Sequence, residues 1–242
     1  MALHFVVESA TDAVAGDVVS LTGAEAKHAA VVRRVRVGET ITIGDGAGVW
    51  LEGRAVDVAA TRVDVEVRRR DVVDAPAPRL VLVQALAKGD RDELAVQASC
   101  ELGVDEIVPW QAARSVSRWE GQKAVKGRER WASIVREAAK QAHRAWIPDV
   151  AAVTSTAQLT RRAQDQRVLV LDPAAERRLS AVEPDGRDLV LVVGPEGGIA
   201  AEELERLDEA GAERVRLGDT VLRTSTAGPA AIAVLSAALG RW

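Results

Sequence analysis

The chain is predicted to fold as two parts in series, a small antiparallel β domain followed by a larger parallel α/β domain. Three observations carry this. Residues alternate apolar and polar at period two from Val18 to Arg70; two prolines interrupt the chain in DVVDAPAPR, Asp71 to Arg79; beyond them, short apolar runs alternate with helical patterns to the carboxy terminus.

In the first part, ETITIGDG, VWLEGRAVDVA and TRVDVEVRR read as strands, with GDGAG as the turn between the first two. Gly44, Gly46 and Gly48 lie between two strands rather than between a strand and a helix, which makes them hairpin glycines and not a dinucleotide loop. Asp71 to Arg79 reads as a linker. In the second part, LVLVQAL, EIVPW, VLVLD, LVLVVG and RVRLG are the strands, and DELAVQASCELG, RERWASIVREAAKQAH, AEELERLDEAG and AGPAAIAVLSAALG are the helices between and after them.

The segment LVLVVGPEGG, Leu189 to Gly198, is the most informative of these. An apolar run without alternation is a strand buried on both faces, and glycines after such a strand let backbone approach a ligand that a β-carbon would block. The loop lacks the lysine and hydroxyl residue of a P-loop and the spacing of a dinucleotide fingerprint. Glu202, Glu203, Glu205, Asp208 and Glu209 follow it, and acidic residues at a helix start repel phosphate. The expected ligand has a cationic or neutral head.

A chain of 242 residues with 48% hydrophobic and 28% charged residues has the composition of a globular protein. No apolar run approaches the roughly 18 residues of a membrane span, and MALHFVVES has no basic leader region, so the cytoplasm is the expected compartment. The single cysteine, Cys100, excludes an internal disulfide framework, and His4, His28 and His143 lack metal-ligand spacing, so no metal is expected. The net charge of −4 hides a local reversal. Residues 1–78 carry nine Lys/Arg against twelve Asp/Glu and residues 151–242 eleven against fourteen, but residues 114–144 carry nine against three. In a helix expected from Arg128 to Arg144, Trp131, Ile134, Val135, Ala138 and Ala142 form an apolar stripe, and Arg136, Lys140 and Arg144 a basic one at i, i+4 and i+8. With Trp119 and Trp146 nearby as stacking surfaces, the basic stripe reads as a nucleic-acid contact in preference to a solvated face.

The motifs ALAKGDRDE (Ala85 to Glu93), ELGVDEIVP (Glu101 to Pro109), ARSV (Ala113 to Val116), EAAKQAHR (Glu137 to Arg144), GPEGG (Gly194 to Gly198) and LGDTVLRTSTA (Leu217 to Ala227) occur in that order. Together they resemble the bacterial 16S ribosomal RNA methyltransferases that modify N3 of a uridine, members of the SPOUT class. His28, Val32, Arg34 and Gly38 fit that family's spacing in its PUA-like amino-terminal domain. The resemblance implies a PUA-like RNA-binding β-barrel over residues 1–72 and a SPOUT methyltransferase domain with a trefoil-knotted chain over residues 79–242. It further implies S-adenosylmethionine as cofactor, a homodimer, and 16S rRNA in a small-subunit particle as partner.

The same resemblance places the cofactor among Leu171, Gly194, Pro195, Glu196, Gly197, Gly198, Leu217, Gly218, Val221, Leu222 and Thr226. RNA is expected against Arg33, Arg34, Lys88, Arg91 and Arg114 and against the basic stripe of Arg136, Lys140 and Arg144. Two positions depart from the pattern: Ser225 stands where the family usually has glutamate, and Arg33 where leucine is common.

Methylation at uridine N3 requires a nitrogen lone pair aimed at the methyl group as the imide proton leaves, and no covalent nucleophile. Cys100, in the apolar stretch ASCELG, is expected to be a buried, inert thiol. Arg223 is the chosen catalytic residue, because a guanidinium beside the base stabilises negative charge on the uracil carbonyls; its alternative is a loop-anchoring ion pair. Glu196 is a candidate proton acceptor, cofactor ligand or loop anchor. The alternatives to N3 methylation are transfer to a ribose 2′-hydroxyl on the same fold, and a noncatalytic RNA-binding assembly factor.

Overall fold

The computed structural model describes residues 3–242, so the first two residues of the amino-terminal stretch read above for a leader lie outside it. The chain divides into two compact units: unit 1 is Met1–Ala75 with Ala139–Ile147, and unit 2 is Pro76–Ala138 with Pro148–Trp242.

Unit 1 holds strands β1 (Leu3–Val6), β2 (Val18–Thr22), β3 (Thr40–Gly44), β4 (Val49–Ala59) and β5 (Arg62–Val72) in the order β1-β3-β4-β5-β2. A short helix α1 (Gly23–Lys27) runs into a π-turn at His28–Val32. The period-two alternation is realised in β4, where Val49, Leu51, Gly53 and Ala55 face inward, and in β5, where Val63, Val65 and Val67 do. They pack with Phe5, Leu21, Ile41 and Ile43 in one apolar core. Gly53 is forced by close approach, since a Cβ there would lie 2.7 Å from the Glu66 carbonyl oxygen. The β3–β4 turn forms as expected, with the Asp45 carboxylate accepting the Ala47 and Val49 N–H groups. One pairing differs from the antiparallel expectation: β1 runs parallel to β3. Two adjacent parallel strands need a crossover, and the intervening β2, α1 and π-turn supply it.

Unit 2 is a six-stranded sheet in the order β11-β9-β10-β6-β7-β8, every ladder parallel. Its strands are β6 (Leu80–Ala85), β7 (Glu106–Trp110), β8 (Asp149–Val150), β9 (Arg167–Leu171), β10 (Leu189–Val193) and β11 (Glu213–Val215). The helices are α2 (Arg91–Glu101), α3 (Gln122–Gln141, of which the last turn belongs to unit 1), α4 (Thr156–Leu159), α5 (Ala201–Glu209) and α6 (Thr224–Ala238). Central strand β10 is buried at all five residues, as its unbroken apolar run requires. Strand β8 and helix α4 are too short to leave a periodic signal.

The expectation that residues 79–242 form one unit differs at 139–147, and the cause is local. The Gly48 N–H donates to the Ala145 carbonyl and the Ile147 N–H to Gly46, so this segment adds to the β3–β4 turn of unit 1. The Trp146 indole donates to the Val73 carbonyl and lies where a Cβ on Gly48 would be. Helix α3 also starts earlier than Arg128 and stops before Arg144. His143, with a φ of 55°, takes the left-handed conformation that ends helices, and the Arg144 N–H donates back to the Ala139 carbonyl. No helix among the described residues is long and apolar enough to cross a membrane.

Candidate functional site

A parallel sheet presents the carboxyl ends of its strands along one edge, and there the loops after β9, β10 and β11 surround a cavity of about 560 Å³. The loop after β9 contributes Leu171, Asp172 and Pro173; the loop after β10 contributes Gly194, Pro195, Glu196, Gly198 and Ile199. The loop after β11 contributes Arg216 to Gly218 and Thr220 to Arg223; Thr224 and Ala227 of α6, Leu204 of α5, the strand ends Val193 and Val215, and Arg91, expected above to face RNA, also line it. The size is that of a small-molecule or cofactor site.

Arginines hold the glycine loop on two sides. Arg91 donates to the Glu196 carboxylate at 2.8 Å, which also accepts the Lys88 N–H at 3.2 Å, and Arg114 donates to the Gly197 carbonyl at 3.1 Å. Burial pushes the Glu196 carboxyl up, but hydrogen bonds from its own backbone, from Arg91 and from the Lys88 N–H outweigh it and leave the group below the usual glutamate range. It is therefore a carboxylate held in place and a weak base. Glu203 in the following helix is buried, with its carboxylate accepting the Thr156 hydroxyl at 2.6 Å and the Ala113 and Ala200 N–H groups. It clasps the helix start to its neighbours and does not face the cavity.

Arg223 caps the start of α6 with extended backbone, so its carbonyl accepts the Thr226 and Ala227 N–H groups while its side chain stays exposed on the cavity. Its guanidinium makes no hydrogen bond or ion pair among the described residues, so the loop-anchoring alternative finds no partner here.

The cavity brings together most of the expected cofactor residues: Leu171, Gly194, Pro195, Glu196, Gly198, Leu217, Gly218, Val221 and Leu222 line it with Arg223. Gly197 and Thr226 do not. Gly197 is turned to Arg114, whose Cβ would be 3.4 Å from a Cβ added at 197, and Thr226 is exposed within the first turn of α6. Asp172, Arg216, Thr220 and Thr224 line the site without having been singled out; the first sits directly after an apolar strand, which was a usable signal.

The expected RNA residues scatter. Arg33 and Arg34 are exposed just after the π-turn of unit 1, and Lys88, Arg91, Arg114 and Arg136 are exposed on unit 2. Lys140 corrects the basic stripe: its side chain is 6% exposed and its ammonium pairs with Glu25 at 2.7 Å, so it presents no charge to a ligand. Arg144 lies beyond the helix end and is half-buried, so it does not continue the stripe either. Trp119 is also corrected as a stacking surface, because it is buried edge-on against Trp131 at 5.0 Å and covers the face of α3 at Gly127. Trp146 is half-buried and hydrogen-bonded within unit 1. Cys100 is fully buried, as expected of an inert thiol.

Residues 74–236 match the model of an RNA methyltransferase domain, and residues 21–67 that of an RNA methyltransferase PUA domain. The chain is similar to the ribosomal RNA small subunit methyltransferase E of Mycobacterium tuberculosis, 42% identical over an alignment covering 100% of this chain and 94% of that protein. It is 34% identical to the Bacillus subtilis protein of the same name, covering 90% of this chain and 89% of the relative. A crystal structure of the Neisseria gonorrhoeae ribosomal RNA small subunit methyltransferase E, bound to S-adenosyl methionine, superposes with a TM-score of 0.88 at 30% identity over 98% of both chains.

Proposed function

The chain belongs to the RNA methyltransferase family, and on that premise we propose that it transfers a methyl group from S-adenosylmethionine to N3 of a uridine in 16S ribosomal RNA. The observation that carries the proposal is a glycine-walled cavity at the carboxyl edge of the parallel sheet lined by Arg223, an arginine without a hydrogen-bond or ion-pair partner among the described residues.

The lining fits the cofactor. Leu171, Val193, Ile199, Leu217 and Val221 offer apolar surface to an adenine ring, and Asp172 and Glu196 offer carboxylates to the cationic methionine portion. A Cβ at Gly198 or Gly218 would meet no protein atom within 4 Å, so the space beside both backbones is open to a ligand. When bound, S-adenosylmethionine supplies an electrophilic methyl group on a sulfonium.

The residues of this chain supply orientation and charge. Arg223 directs its guanidinium at the uracil carbonyls and stabilises the negative charge that builds as the N3 proton leaves. Glu196, tied to Arg91 and the Lys88 N–H, holds the glycine loop, and its lowered pKa disfavours it as the proton acceptor. Arg33, Arg34, Arg114 and Arg136 contact RNA phosphates. The knotted chain path of the SPOUT class, the division into a PUA-like domain and a methyltransferase domain, a homodimer, a small-subunit particle as substrate and a cytoplasmic location complete the proposal.

Substitutions at Arg223 test it. Arg223→Lys keeps the charge and loses the planar fork, and Arg223→Ala loses both, so single-turnover transfer falls in the order Arg, Lys, Ala, with Ala down by about 10²–10³ at saturating cofactor. Nucleoside analysis of the product identifies N3-methyluridine. A 2′-O-methylated product, or an Arg223→Ala enzyme that loses cofactor affinity but transfers normally at saturation, rejects the assignment.

A further inference from the structure

Strand β6 reads LVLVQA, and its glutamine interrupts an otherwise apolar run in the middle of the sheet. Gln84 is fully buried, paired in register with Val193 on one side and Pro109 on the other. An amide there costs desolvation that a leucine would not; its NH2 half is hydrogen-bonded, while its Oε1 is buried with no hydrogen-bond partner among the described residues.

The Gln84 Nε2 group spends both hydrogens, one on the Ala85 carbonyl at 3.2 Å and one on Thr224 Oγ1 at 2.9 Å. The Thr224 hydroxyl passes its own hydrogen to the Gly194 carbonyl at 3.0 Å. Donor directions fix the amide's orientation: the Ala85 carbonyl needs a donor and the threonine proton is committed, so the NH2 group must face both. Three segments meet in this relay: the end of β6, the first glycine of the loop after β10, and the first residue of α6, which directly follows Arg223. Gly228 lets the same helix lie close, since a Cβ there would be 3.1 Å from Leu82 Cδ1 and 3.6 Å from Gln84 Oε1.

We infer that Gln84, which lines no part of the cavity, is a positioning residue for methyl transfer: through Thr224 it sets the separation between the Gly194 carbonyl and the helix start that carries Arg223. The inference rests on the function proposed above. A displacement of about 1 Å between groups that must align is enough to slow transfer substantially.

The test is a cycle of Gln84→Leu, Thr224→Val and the double variant in the full-length protein. Three quantities are measured: calorimetric affinity for S-adenosylmethionine, single-turnover transfer to 16S rRNA at saturating cofactor, and amide hydrogen exchange at residues 194–198 and 224–226 without cofactor. Each single variant is expected to lose about tenfold or more in transfer and only a few-fold in affinity. Both loops exchange faster, and the double variant is no worse than the poorer single one, as members of one relay behave. Thr224→Ser, which keeps the hydroxyl, transfers faster than Thr224→Val. If leucine at 84 reduces the yield of folded protein, Gln84→Met keeps the side-chain length and replaces it.

Multiplying losses in the double variant overturn the inference, as do wild-type exchange and transfer in the position-84 variant. A wild-type protein that makes no N3-methyluridine rejects the proposed function instead, while the exchange and affinity arms still decide whether Gln84 holds the two loops.

Discussion

Beneath the cavity of unit 2 the buried polar relay is neutral, Gln84 to Thr224 to the Gly194 carbonyl, whereas in unit 1 the buried polar cluster is ionisable. There His4 stacks on Trp50 at 4.2 Å, with His143 at 5.8 Å, and Lys140 pairs with Glu25. The His4 Nδ1 donates to Thr42 Oγ1, whose hydrogen goes to the Leu3 carbonyl, so Nε2 carries no proton, and it is buried with no hydrogen-bond partner among the described residues. Burial, helped by the charges of His143 and Lys140, pushes His4 down to about 4. A neutral relay keeps its geometry across pH, while an ionisable cluster makes the stability of its unit depend on pH and on each charge having its partner.

The largest effect expected from this contrast is at Lys140. Lys140→Met strands the Glu25 carboxylate and should cost about 3–5 kcal/mol in denaturant unfolding, and Glu25→Gln added to it should recover a good part. A loss below about 1 kcal/mol would make the pair equivalent to a surface one and dissolve the contrast.

The pH dependence comes next. Because the folded pKa of His4 lies below the unfolded value, the unfolded chain takes the proton first. The contribution is complete above about pH 6.5, falls as pH drops towards 4, and is lost below that, a change of about 3 kcal/mol. His4→Phe should flatten that part of the stability profile relative to wild type, and NMR titration of the imidazole in Lys140→Met should show its pKa raised. An unchanged profile in His4→Phe would remove His4 as the source.

The smallest effect concerns charges of unit 1 that are exposed. Arg33→Gln with Arg34→Gln should lower the salt slope of RNA binding by up to about two counterions and leave unfolding stability nearly unchanged. A slope equal to wild type would mean that these arginines face only solvent.

Much of this architecture is written locally. The unbroken LVLVV run and the glycines after it mark β10 and the cavity loop, and period-two alternation marks β3 to β5, because burial on two faces or one leaves different patterns along a strand. Arg223 and Leu171 came from the family resemblance and the motifs that carry it, and both line the cavity.

The basic stripe shows where local reading stops. Spacing at i, i+4 and i+8 assumes that the helix continues and that charged side chains are solvated, but α3 ends at Gln141 and Lys140 is buried against Glu25, 115 residues earlier in the chain. Gln84 shows it again, since the sequence displays only a break in an apolar run and the partner hydroxyl is 140 residues away. The sequence by itself determined which strands are buried, where the glycine loop follows them and which family motifs the chain carries, because periodicity and turn chemistry act between near neighbours. Only the tertiary structure decided which charges are neutralised and which loops share a relay, because a hydrogen bond or ion pair depends on distances in space that residue spacing does not encode.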